Sequence, residues 1–356
     1  MQRWPDRRLL DLLNITIPIV QAPMAGSDSV ALARSVSSTG ALGSLACALL
    51  TPDAVREAMG ALRHEMTAPY NLNFFCHPMQ APDPAAAEKW KTFLRPHYER
   101  FGLDIEKVAE SRLRMPFDEE MCAVVEELKP EVVSFHFGLP TASLVDRLKS
   151  QDMKIVSSAT SVSEAKWLES RGCDAIIAQG SEAGGHRGMF LETNSVSQVG
   201  LFALLPQVTD AVSVPVIAAG GIADARGIIA ALALGASGVQ LGTAYLFCPE
   251  ANISPLYRQA LEQAGDSGTA LTNLYSGRPA RGILNQYIQE SGPMSDAVPA
   301  FPYAATLVAP LRAASEREGS WDYMQLWAGQ AARLARSLPA DEFTRNLAAD
   351  VLSYWH

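Results

Sequence analysis

Eight short apolar runs recur along the chain, and helical patterns alternate with them. The runs are 17–26 (IPIVQAPMAG), 41–46 (ALGSLA), 70–76 (YNLNFFC), 132–138 (VVSFHFG), 154–159 (KIVSSA), 175–180 (AIIAQG), 215–221 (PVIAAGG) and 238–246 (GVQLGTAYL). Several are apolar nearly throughout, as parallel strands buried on both faces must be. Between them lie amphipathic stretches such as SVALARSVSSTG, TPDAVREAMGALR, SVSEAKWLESRG and DARGIIAALALG. Start signals precede two of these: Thr51-Pro52-Asp53, and Ser161 with Glu164 three residues on. Gly40, Gly172 and Gly235 stand where helix C-caps belong. This alternation predicts a (β/α)8 TIM barrel. An open doubly wound sheet is the alternative, but no G-x-G-x-x-G follows any strand.

Two segments break the pattern. Residues 77–115, which include the helical stretch PAAAEKWKTFLRPHYERFG, read as an insertion after strand 3. Residues 267–356 read as a C-terminal extension packed on a barrel of residues 1–266. Within it, 271–310 is rich in Gly and Pro and reads as loop, while SWDYMQLWAGQAARLARSL and DEFTRNLAADVLSYW read as two amphipathic helices.

A net charge of −9 without any Lys/Arg cluster argues against nucleic acid or an anionic membrane as partner. Five cysteines without C-x-x-C spacing argue against a disulfide framework or a zinc site, and point to a reducing, cytoplasmic compartment. The N-terminal stretch lacks the unbroken apolar core of a signal peptide, and no apolar run is long enough to span a bilayer. No His/Asp/Glu group on converging strand ends suggests a metal.

In such a barrel the chemistry sits where the strands end. The stretch GSEAGGHRG (180–188) follows the sixth run and surrounds His186 with Gly184, Gly185 and Gly188. Glycine allows close approach of backbone to ligand, and histidine exchanges protons near neutral pH, so His186 is the candidate catalytic residue. A lone histidine is more often a packing or surface residue, and His64, His77, His97 and His356 read that way. Gly220-Gly221 and Gly242-Thr243 end the last two runs, where barrels often bind phosphate, and their place on the correct two units favours phosphate binding over a mere pair of tight turns. Asn73 and Gln179 are polar residues that interrupt or end buried runs, and Asn73 lies nearer its strand end than Asn71. SEAK (163–166) matches the S-x-x-K of some hydrolases but reads as helix surface, and Glu119-Glu120 and Glu126-Glu127 read as a solvated helix face.

With QAPMAG, NLNFFCHP, SFHFGLP, GSEAGGHRG, PVIAAGGI and GVQLGTAYL in this order, the chain resembles the nitronate monooxygenases, formerly 2-nitropropane dioxygenases, and their bacterial class I members most. The resemblance covers about residues 1–290 well and the extension loosely. It implies a barrel with non-covalent FMN that uses O2 to oxidise alkyl nitronates, above all propionate 3-nitronate, to a carbonyl compound plus nitrite or nitrate. It implies that Met24, Asn73, Gln179, Gly184, Gly221, Gln240, Leu241, Gly242 and Thr243 hold FMN, together with Gly220 from the phosphate reading. His186 would be catalytic, and His136 would hydrogen-bond the nitro group or carboxylate of the substrate. The family's extension brings tyrosines and often a lysine to the pocket. Here PYAATLVAPLRAA offers Tyr303 but no lysine, with Thr306 and Arg312 nearby. A homodimer is compatible with the resemblance. The rival readings are an FMN-dependent NAD(P)H reductase acting on enoyl thioesters or quinones, a phosphate-ligand barrel without redox chemistry, and a flavin-binding protein without turnover.

Overall fold

The computed structural model describes residues 4–64, 67–109, 113–192 and 194–354; His356 lies outside them. Eight parallel strands form the central sheet: β1 Ile19–Gln21, β2 Gly43–Ala46, β3 Tyr70–Phe75, β4 Val132–His136, β5 Lys154–Ala159, β6 Ala175–Gln179, β7 Val216–Ala219 and β8 Gly238–Leu241. From β2 to β8 each pairs with its neighbours in sequence, and β1 pairs with β8. A parallel bridge from Val20 to Leu42 joins β1 to the start of β2 and closes the TIM barrel. The last apolar run is shorter as a strand than its sequence suggests, because Thr243–Leu246 turns into a short helix at the rim.

The helices between strands begin and end on the local signals. Ser29, Thr51, Asp118, Ser161 and Asp224 accept backbone N–H bonds at helix starts. Gly40, Gly172 and Gly235 follow helix ends with φ of 92°, 91° and 97°, a left-handed turn that favours glycine. The helix Val162–Ser170 carries one correction. Glu164 is fully buried rather than on the surface. Its carboxylate accepts from the Thr160 N–H and hydroxyl and from the Phe190 and Leu191 N–H groups, so the residue ties the β5 and β6 loops together.

The barrel interior is apolar at its N-terminal end. Leu9, Leu10 and Leu13 of the helix Arg8–Leu13 pack with Val20, Leu42, Val132, Val156 and Ile217, so this first helix plugs the bottom. Leu9 comes so close to β8 that a Cβ on Gly238 would lie 2.5 Å from its Cδ2. The strands' outer faces pack under the ring of helices.

The insertion and the extension pack on each other above the rim. Trp90, Leu94 and Tyr98 of the helix Pro84–Arg100 meet Leu274, Tyr287, Val308 and Leu311. The Trp90 indole donates to the Ala304 carbonyl, and the Tyr98 hydroxyl to that of Leu307. His97 makes a further link: its Nδ1 lies 2.8 Å from the Tyr323 hydroxyl. The stretch 271–310 is more ordered than its Gly and Pro content suggests, with a strand at Ala280–Ile283 and helices at Gln286–Ser291 and Ala305–Arg317. Residues 320–338, by contrast, are not an α-helix. Trp327 bridges to Gly282 and only Ala332–Leu334 makes a 3-10 turn, so the apolar spacing there reflects several separate neighbours. The last helix, Ala340–Tyr354, returns to the barrel and packs against the helices Val30–Ser37 and Ala225–Ala233, completing the outer ring. Among the described residues no helix is long and apolar enough to cross a membrane.

Candidate active site

The strand register sets a ring of side chains at the C-terminal rim. Gln179 on β6 pairs with Ala219 on β7, and Ala219 pairs with Gln240 on β8. Across the barrel, Asn73 pairs with Ser134 and Phe75 with His136. Gln179, Gln240, Asn73, Phe75 and His136 all border one cavity of about 1350 Å³, its open mouth included, which Tyr257, Gln325 and Trp327 also line.

The loop after β6 carries His186 into this cavity and is held from several sides. The fully buried Arg187 donates to the Gly180 carbonyl at 2.5 Å, the Gln179 carbonyl at 2.8 Å and the Gln198 side chain at 2.9 Å. The Gln179 amide donates to the His186 carbonyl and accepts from the Gly188 N–H. Gly185 and His186 form a two-residue strand against Arg281 and Ala280, so the extension supports the loop directly. Gly188 is required by crowding: a Cβ there would lie 3.0 Å from His136 Cε1 and 2.9 Å from Ser158 Cβ.

Hydrogen bonds assign the His136 tautomer. His136 Nε2 donates to the His186 carbonyl at 3.1 Å, so its Nδ1 accepts from the Ser158 hydroxyl at 2.9 Å. Both of its ring nitrogens are thus engaged by the protein, and no N–H is left for a nitro group. His186 Nε2 lies 2.9 Å from the Ser276 hydroxyl, which in turn lies 3.3 Å from the Arg278 carbonyl and accepts from the Arg278 N–H at 3.4 Å, a set of contacts that either neutral tautomer satisfies. His186 Nδ1 makes no hydrogen bond among the described residues. Burial, with Arg114, His136, Arg278 and His77 around it, holds the His186 pKa well below the ordinary histidine range. Burial likewise pushes His136 and His77 down to about 4. All three imidazoles are neutral at physiological pH.

The β7–β8 side has the character of an anion cradle. Gly220 and Gly221 have φ of 112° and 69°, and Gly220 lies so near the Ala183 N–H that a Cβ would stand 3.0 Å from its nitrogen. Thr243 Oγ1 accepts from the Gly329 N–H at 2.9 Å, which leaves its own proton to donate. Gln240 Oε1 is buried without a partner. The β1 loop is fixed by buried Asp28, which accepts from the Met24 and Ala46 N–H groups at 2.8 Å and whose carboxyl burial pushes up to about 7.

The structure gathers Met24, Asn73, His136, Gln179, Gly184, His186, Gly220, Gly221, Gln240, Gly242 and Thr243 around this one cavity. Asn71 is not among its walls; it bonds Ser44 inside the barrel. Asn73 donates to Ser134 Oγ at 2.9 Å. Leu241 is fully buried in the core, and the Tyr303 hydroxyl donates to the Gln80 carbonyl away from the cavity walls. Ser158 at a strand end, Glu182 within GSEAGGHRG and Trp327 of the extension also line the cavity; Arg114 lines it and Ser276 lies against His186 without any spacing in the sequence that singles those two out.

A family model described as nitronate monooxygenase matches residues 6–350. A nitronate monooxygenase of Paraburkholderia phytofirmans is 43% identical over 96% of this chain and 94% of its own length. One of Pseudomonas aeruginosa is 39% identical over 97% and 99%. Among solved structures, a nitroalkane oxidase from Streptomyces ansochromogenes superposes with a TM-score of 0.87 at 36% identity, covering 98% of each chain. The chain belongs to the nitronate monooxygenase family. It is an oxidoreductase enzyme, and that family membership supports the oxidation of nitronates as its chemistry.

Proposed function

We propose that the enzyme holds FMN in this cavity and oxidises alkyl nitronates, propionate 3-nitronate among them, with O2 to the carbonyl compound plus nitrite or nitrate. The observation that carries the reading is a neutral His186 held at Nε2 and unbonded at Nδ1, on a loop clamped at the mouth of a barrel cavity. The residues suit FMN on grounds of their own. The glycine pair at β7, the Thr243 proton and the Gly242 backbone match a phosphate, and the orphaned Gln240 Oε1 can accept an N–H of the ring system. Met24, Asn73 and Gly184 would wall the ring. FMN, when bound, supplies an electron acceptor that O2 reoxidises.

The protein's own contribution is positioning and proton handling. The α-carbon of a nitroalkane is acidic, and His186 would take its proton; Ser276 holds the ring at Nε2. The Gln179 amide and His136 fix the His186 carbonyl, and with it the direction of the imidazole. Trp327 lies against the His186 ring, with 5.5 Å between the ring centroids.

The test is a spectrum of the purified protein, followed by anaerobic addition of propionate 3-nitronate and, separately, NADH. Flavin bands that respond to the nitronate and not to NADH are expected. Bands that bleach only with NADH would move the enzyme to reductase chemistry. His186→Asn should lower kcat with neutral nitroalkane by roughly 10²–10⁴-fold at unchanged flavin content.

A further inference from the structure

A row of aromatic rings leads out of the cavity into the contact between insertion and extension. Trp327 lines the cavity, with its ring centroid 5.5 Å from that of His186. Tyr275 follows at 5.6 Å from Trp327, Tyr287 at 5.4 Å from Tyr275, and Tyr323 at 5.2 Å from Tyr287, the last pair stacked within 25°. These are contact distances for aromatic rings, and the three tyrosines are buried. Apolar packing accounts for three such rings in a core, but not for what their hydroxyls meet. The Tyr275 hydroxyl donates to the Met324 carbonyl, and the Tyr287 hydroxyl is buried with no partner. Neither has a base beside it. Tyr323 differs. Its hydroxyl lies 2.8 Å from His97 Nδ1 and accepts an Arg100 N–H at 3.2 Å, so among these partners only the imidazole can receive the phenol proton. Burial holds the His97 pKa below the ordinary histidine value, which keeps the ring neutral near pH 7. Arg100, paired with Glu290 and half-exposed, carries this end of the row to the surface.

Electron tunnelling weakens steeply with distance, so an electron crosses such a span by steps between touching rings rather than in one jump. A tyrosine gives up an electron readily only when its phenol proton leaves with it, because the oxidised phenol is a strong acid. We propose that Trp327, Tyr275, Tyr287 and Tyr323 form a one-electron relay that drains oxidising radicals from the cavity to the protein surface. These are oxygen- or nitrogen-centred radicals, formed when O2 or a nitronate exchanges electrons singly, so the proposal rests on the flavin and O2 reading of the cavity. In the balanced step one electron passes from Tyr323 through Tyr287, Tyr275 and Trp327 to the radical, which takes a proton from solvent. The Tyr323 O–H bond breaks and its proton moves to His97 Nδ1. A thiolate in solution then returns one electron at the Arg100 surface, becoming a thiyl radical, and His97 returns the proton to the phenol oxygen.

The experiment is laser-flash excitation of the flavin in the FMN-loaded protein, which makes it a one-electron oxidant beside Trp327. Transient absorption and electron paramagnetic resonance of freeze-trapped samples then locate the radical. In the wild type a tryptophanyl signal should give way to a tyrosyl radical coupled to an exchangeable proton, the one shared with His97. Tyr323→Phe and His97→Gln should each leave the radical on Trp327 and shorten its lifetime by at least about tenfold. Neither residue lines the cavity, so the initial rate with nitronate should be unchanged, while fewer turnovers precede inactivation. A merely structural role would lower stability without moving the radical. A tyrosyl signal that survives Tyr323→Phe, or a wild-type radical that never leaves Trp327, would overturn the proposal. If a variant fails to fold, the wild-type spectrum still decides, because a tyrosyl radical without that proton coupling is not on Tyr323. A protein without flavin bands would instead refute the flavin reading. A ruthenium photo-oxidant attached at Gln325→Cys, on the cavity wall, then starts the same transfer and is read in the same way.

Discussion

Gly184 is the position where one added carbon should do most harm. Its backbone lies against the extension: a Cβ there would stand 2.6 Å from the Gly329 nitrogen and 2.7 Å from the Ala328 carbonyl carbon. The contact is reciprocal, since a Cβ on Gly329 would stand 2.7 Å from the Glu182 carbonyl oxygen. Ordinary carbon contacts need about 3.5 Å, so Gly184→Ala must push the loop and the extension apart by nearly ~1 Å. No flexible side-chain end is available to give way. Overpacking of this kind costs ~1–3 kcal/mol, and the strained Gly329 N–H bond to Thr243 adds about 1 kcal/mol. Tm should fall by roughly 3–5 °C. Because the same loop aims His186, kcat/KM should fall by about 10²-fold. Gly185→Ala is the internal control. Nothing lies within 4 Å of its Cβ, but φ is 74°, so it should cost only ~1 kcal/mol of backbone strain. Thermal melts and steady-state kinetics on both variants make the comparison. A Gly184→Ala enzyme no worse than Gly185→Ala, with kcat/KM near wild type, would refute the backbone clamp.

Arg187→Met should destabilise the fold by about 3–5 kcal/mol, because it strips the Gln179 and Gly180 carbonyls and the Gln198 side chain of their buried donor; a urea midpoint close to wild type would disprove this. Acid should weaken the protein through its buried imidazoles. His77 and His136 are held near 4 and His186 is held low as well, so below pH ~6.5 the unfolded chain binds protons that the folded chain refuses. Stability should be level in this respect above that pH and fall towards pH 4, by up to ~1.4 kcal/mol per unit for each group. Melts between pH 4.5 and 8 on wild type and His136→Gln should show a shallower acid slope in the variant; identical slopes would discount the mechanism.

Much of this architecture is legible because it is local. A buried strand needs an unbroken apolar run, a helix needs its own periodicity and caps, and eight such pairs have few ways to bury their faces other than a closed barrel. Strand ends are equally local. Asn73, Gln179, Gln240 and the loop glycines converge because every parallel strand ends on the same rim. Spacing failed where the partner lies far off in sequence. The surface pattern of SEAK hides Glu164, whose donors at Phe190 and Leu191 sit on the next loop. The pattern of residues 320–338 resembles a helix but serves Gly282 and Gly184 instead.

The sequence by itself therefore determined the barrel, its order of strands and the end at which chemistry can occur, since all three follow from short-range periodicity. Only the tertiary structure decided which nitrogen of His186 the protein holds. Ser276, which lies against its Nε2, is 90 residues away in sequence. Nor could spacing bring Arg114 of the insertion and Arg278 of the extension to one aromatic wall, because those two segments meet only by burying apolar faces that neither can bury alone.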